Sequence, residues 1–95
     1  MASDIVAVRV RIEGRVQRVW FRAWTVREAN QRGLAGWVRN RADGAVEAVF
    51  AGPAARVKDM VEACRGGPPR ARVDNIVSEP AAVPDEAGFR EQEDA

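Results

Sequence analysis

Four breaks bearing glycine or proline divide the chain: Gly33, Asp43-Gly44, Gly52-Pro53 and the run Gly66 to Pro69. Between them the apolar residues switch period, and that switching limits the possible folds. From Ile5 to Glu13, Val8, Val10 and Ile12 alternate with Arg9, Arg11 and Glu13, the pattern of a half-buried strand. Gly14 to Trp20 breaks the alternation and reads as a loop. Phe21, Thr25 and Ala29 then recur at helical spacing, and Gly33 after Arg32 is a helix stop. Leu34 to Arg41 and Ala45 to Ala51 flank the Asp43-Gly44 turn signal and predict a β-hairpin. Gly52-Pro53 starts a second helix with a stripe of Val57, Met60, Val61 and Cys64, and the Gly66 to Pro69 run stops it. Arg72 to Ser78 predicts a fourth strand, although its alternation is imperfect. Beyond Pro80 the Ala-, Pro- and acid-rich segment reads as partly loose, with Gly88 to Glu91 able to add a short edge strand.

The order β-α-β-β-α-β predicts an α+β protein, a ferredoxin-like sandwich with two helices on one face of an antiparallel sheet. The first and third strands become central neighbours, and the end of the second can approach the first loop. A chain of 95 residues is expected to form one domain, 1–95, with a core over about 5–91. This architecture hosts many activities, so the fold alone does not choose one.

Composition removes several chemistries. With no histidine there is no imidazole base or metal ligand, and one cysteine allows neither an internal disulfide nor a cysteine-based zinc site. The hydroxyl and thiol nucleophiles are Ser3, in a terminus expected to fray, Thr25 and Cys64 on apolar helix faces, and Ser78. None has a base nearby in sequence, so a covalent intermediate is not expected. A net charge of +1 argues against a general polyanion binder. The apolar runs are too short to cross a bilayer and no signal peptide is visible, so a cytoplasmic protein is expected.

The stretch Glu13 to Arg22 is where a site is expected. A loop entering a helix can curl its backbone N–H groups around an oxyanion, and Gly14 would let the chain turn out of the strand. Arg22 in the first helical turn offers a two-pronged donor to the same anion. Without an anion it is locally unfavourable there by roughly a few tenths of a kcal/mol, because the helix N-terminus is already positive. The alternatives for Arg22 are a solvated side chain or an ion pair with Glu13 or Glu47. Neither G-x-x-x-x-G-K-[ST] nor G-x-G-x-x-G is present, so the loop is no nucleotide-binding motif. Asn40, before the hairpin turn, is either turn chemistry or an amide that orients a water molecule.

These residues resemble the acylphosphatase family. Its pattern G-x-V-Q-G-V-x-F-R is met by G-R-V-Q-R-V-W-F-R, Gly14 to Arg22. Its second block is met by A-N-Q-R-G-L-A-G-W-V-R-N-R-A-D-G-A-V-E, Ala29 to Glu47, and its third by C-R-G-G-P-P-R-A-R-V, Cys64 to Val73. The resemblance implies hydrolysis of acyl phosphates to a carboxylate and inorganic phosphate by direct attack of water, without metal or cofactor. It implies catalytic roles for Arg22 and Asn40 and a backbone phosphate cradle of Arg15, Val16, Gln17, Arg18, Val19 and Trp20. The implied partner is a small-molecule acyl phosphate rather than nucleic acid or membrane, and a monomer is expected. Arg18 departs from the pattern, standing where the family has glycine. If that position needs a positive φ, the side chain costs roughly 1–2 kcal/mol. The competing function is a non-catalytic phosphate- or RNA-binding module, but the central strands offer no aromatic stacking platform. An acylphosphatase-like domain inside a larger enzyme is a further alternative. The end of the chain at Ala95 favours a stand-alone hydrolase.

Overall fold

A computed structural model describes residues 4–95, so Ser3 lies outside the described residues. β1 (Ile5–Arg15), α1 (Phe21–Gln31), β2 (Ala35–Asn40), β3 (Val46–Pro53), α2 (Ala54–Gly66), β4 (Arg72–Pro80) and β5 (Phe89–Glu91) follow in that order. The sheet order is β4-β1-β3-β2-β5. The first four strands pair antiparallel, and β5 joins the free edge of β2 in parallel. The sheet is therefore mixed, where a purely antiparallel one was expected, but the ferredoxin-like arrangement stands. β1 and β3 are central, with Val8 opposite Phe50, Val10 opposite Ala48 and Ile12 opposite Val46.

Those alternating residues supply the inner face. Val10, Ile12, Val46, Ala48 and Phe50 are buried with Val38 of β2. α1 adds Phe21, Thr25 and Ala29, and α2 adds Val57, Met60 and Cys64. Thr25 escapes the cost of an unpaired buried hydroxyl by donating to the Phe21 carbonyl at 2.8 Å. Cys64 is fully enclosed, and burial pushes its thiol pKa up to about 12, so it is a core residue and not a nucleophile. Phe89 closes the far edge by stacking on Phe50 at 5.3 Å. No helix among the described residues is long and apolar enough to cross a membrane.

The imperfect period of β4 has a simple cause. Glu13 pairs with Asn75 and Gly14 with Val73, so Asp74 is an extra residue in a β-bulge. The bulge lets Val73 and Ile76 both pack against the core although they are three apart in sequence. Gly14 and Arg15 remain in the β1 ladder, so the chain leaves the strand two residues later than expected. Gly14 is needed for the close approach: its φ is 128°, and a side chain there would strike the Arg72 carbonyl.

The outer face carries ion pairs. Glu47 is buried, and its carboxylate accepts from Arg39 at 2.8 Å and Arg41 at 3.1 Å, with Arg9 at 3.7 Å. Burial alone would raise the Glu47 pKa, but the hydrogen bonds from Arg39 and Arg41 outweigh it and hold the carboxyl below its ordinary range. A depressed carboxylate pKa stabilises the fold above the unfolded value, about 4.5, and that contribution is lost as pH falls through the folded value. Glu47→Gln is expected to cost about 2–3 kcal/mol at neutral pH by stranding the arginines. It should also flatten the acid limb of a stability–pH curve measured by urea unfolding. An unchanged acid limb would remove Glu47 from that role.

Candidate active site

The loop Val16 to Trp20 runs between β1 and α1 with Val16 and Val19 buried as anchors. Arg18 (φ 63°) and Trp20 (φ 68°) are the only non-glycine residues with positive φ among the described residues. Left-handed residues alternating with ordinary ones turn successive N–H groups towards a common centre, an anion-binding concavity. Among the described residues, no acceptor takes a hydrogen bond from the backbone N–H of Gln17, Arg18, Val19 or Trp20. α1 has no side-chain cap and no acid in its first turn, so its leading N–H groups and positive dipole end are open too. Arg15, expected in this cradle, lies at the end of the strand ladder opposite Arg72, where the loop begins.

Gln17 ties the loop down through its side chain. Its Nε2 donates to the carbonyls of Arg41 at 2.8 Å and Ala45 at 2.9 Å. One amide thus holds the cradle against both sides of the hairpin turn that follows Asn40. The family resemblance implies only a backbone role for Gln17. A long-range amide staple between two loops leaves no periodic signal.

Arg22 pairs with neither Glu13 nor Glu47, the alternatives considered for it, but with two acids of the C-terminal segment. Its Nη1 donates to Asp94 Oδ1 at 3.1 Å, and its Nε lies 3.9 Å from Glu91 Oε1. Asn40 ends β2 in register with Val46, on the inner-face row that contains Val38. Its Oδ1 is buried and has no protein donor among the described residues. The C-terminal segment bridges these two residues: the Ala95 N–H donates to the Asn40 carbonyl at 2.9 Å, next to Asp94 on Arg22. The segment expected to be loose is held there by Gln92 N–H on the Val38 carbonyl at 2.8 Å, while Asn30 of α1 bonds both backbone groups of Phe89. Among the described residues, no three or more carboxylate or thiol groups are placed to hold a metal ion.

The acylphosphatase family model matches residues 8–91. The chain belongs to the acylphosphatase family. It is 61% identical over 83 residues to the acylphosphatase of Rhodospirillum rubrum, covering 87% of this chain and 91% of that protein. The fold is that of the acylphosphatase from Coxiella burnetii, with a TM-score of 0.89 at 34% identity over 94% of both chains. It is also that of the Bacillus subtilis acylphosphatase, with a TM-score of 0.88 at 36% identity over 94% of this chain and 99% of that one.

Within the acylphosphatase pattern, the structure resolves the departure at position 18. The backbone does adopt a positive φ where the family has glycine, so Arg18 carries a steric cost of roughly 1–2 kcal/mol. Arg18→Gly is expected to raise stability by up to about 1 kcal/mol, because relief of strain exceeds the added freedom of the unfolded chain. Equilibrium urea unfolding of the two proteins measures it. A less stable variant would show that Arg18 makes a contact worth more than its strain.

Proposed function

We propose that this chain hydrolyses acyl phosphates by direct in-line attack of water on phosphorus, giving a carboxylate and inorganic phosphate. The observation that carries this is the run of unbonded N–H donors, Gln17 to Trp20, opening beside the Arg22 helix turn. Those donors and the Arg22 guanidinium would hold the non-bridging phosphate oxygens and stabilise charge as it develops there. Asn40 Oδ1, buried and without a protein donor among the described residues, would accept from the attacking water and so aim its lone pair at phosphorus. The water oxygen forms the new P–O bond as the acyl C–O–P bridge breaks at phosphorus, and its electron pair leaves on the carboxylate. The water's proton passes to a phosphate oxygen. A carboxylate is a weak base and needs no general acid, which suits a chain without histidine.

Because Asp94 sits on Arg22, the substrate phosphate would have to replace that carboxylate. Asp94→Asn is therefore expected to lower KM by about two- to fivefold, the scale of one exposed ion pair. Steady-state kinetics at low salt measure it, and an unchanged KM would show that the contact does not compete.

Action as one domain over 1–95, as a monomer, in the cytoplasm and on a small molecule alone belongs to the same proposal. Among the described residues the open sheet face presents a single aromatic, too few for a base-stacking platform. Trp37, its aromatic, lies under the Arg39 guanidinium at 4.9 Å. The direct test is hydrolysis of benzoyl phosphate in the presence of EDTA. Turnover supports the proposal, whereas a folded protein without turnover, or one silenced by the chelator, overturns it.

A further inference from the structure

A second feature opens beside the phosphate cradle. A cavity of about 380 Å³ is lined by Trp20, Trp24, Arg27, Pro68, Pro69 and Arg70, and no carboxylate lines it. Trp24 and Arg27, three apart on α1, share one side of the helix, and Trp20, just before it, lines the same cavity. The prolines of the α2–β4 connection form the facing wall. Trp24 is fixed edge-on against buried Phe21 at 5.4 Å, but Trp20 is 77% exposed. The φ of 68° at Trp20 belongs to the cradle, but a bulky aromatic left in solvent is unusual, and a ligand lying on it explains the exposure. The charges are the second observation. The two arginines that line the cavity, Arg27 and Arg70, have no carboxylate partner among the described residues, as is also so of Arg15, Arg18 and Arg56, and no carboxylate shares the cavity with them.

We propose that this groove is the acyl-group subsite and that it selects acyl phosphates whose acyl part is an apolar spacer ending in a second anion. The spacer lies on Trp20 and the proline wall, and Arg27 and Arg70 receive the distal charge. This rests on the hydrolase reading above and adds a substrate class to it. The phosphate end fixes which bond breaks, and the groove decides which carboxylic acid leaves. Arginine suits the distal position because its planar fork meets a carboxylate or phosphate with two bonds.

The test compares benzoyl phosphate with 4-carboxybenzoyl phosphate, and acetyl phosphate serves as a substrate too short to reach the arginines. Wild type is expected to favour the carboxylated substrate by about fivefold in kcat/KM at low salt, with the preference reduced at high salt. Arg27→Gln/Arg70→Gln should abolish the preference and leave acetyl phosphate turnover unchanged. Equal rates on the two aryl substrates, or a double variant that slows acetyl phosphate equally, would overturn the proposal. Phenacylphosphonate and its 4-carboxy analogue, in which carbon replaces the bridging oxygen, read the groove without chemistry. If no substrate turns over, the hydrolase reading fails. In that case, tighter binding of the carboxylated phosphonate, followed by tryptophan fluorescence, still supports the groove, and equal binding overturns it.

Discussion

Arg22→Lys is expected to lower kcat/KM for benzoyl phosphate by about 10²–10³-fold, close to the loss in Arg22→Ala, with the fold intact. The reason lies in geometry more than in charge. The guanidinium already spans two carboxylates, Asp94 through Nη1 and Glu91 on the Nε side, and so displays the fork that would span two phosphate oxygens. An ammonium keeps the charge but makes a single point contact, and it cannot follow the equatorial oxygens as the P–O bridge breaks. Both variants should unfold at nearly the wild-type urea concentration, because Arg22 is partly exposed and its ion pairs lie in high dielectric. Near-normal turnover by the lysine variant would remove Arg22 from the site. Loss of activity together with folding would make it structural.

Much of this arrangement was legible before any coordinates, because the strands and helices obey simple periods. The alternation of Val8, Val10 and Ile12 and the stripe of Val57, Met60 and Cys64 lie where their periods put them. What escaped was non-periodic. The Asp74 bulge broke the β4 pattern, and the same irregularity kept Gly14 and Arg15 in the ladder. The short edge strand β5 lies where Gly88 to Glu91 suggested one, but its parallel pairing and its tie to Asn30, whose amide bonds the backbone of Phe89 from 59 residues away, left no local signal. The motif singled out Arg22 and Asn40 as candidates, but the partners of Arg22 came from an acidic segment with no local pattern. Position 18 shows the limit most clearly. The sequence showed that a glycine was missing, and only the backbone angle showed that its absence strains the loop.

Asn40→Ala is expected to reduce kcat by about 10²-fold while leaving stability nearly unchanged. A structural asparagine predicts the reverse, since truncating a satisfied buried amide typically costs about 1–3 kcal/mol. Here the buried Oδ1 atom has no protein donor among the described residues, so alanine breaks no hydrogen bond within the protein at that atom. Asn40→Asp separates orientation from burial: it keeps the shape and an acceptor but puts a negative charge beside the bound phosphate. It should raise KM, where alanine acts mainly on kcat, and it should destabilise the fold because a buried carboxylate has no partner ready. The paired measurement is urea unfolding and benzoyl phosphate kinetics on all three proteins. Alanine losing stability and activity in parallel would make Asn40 a turn residue, and the water would then need another guide.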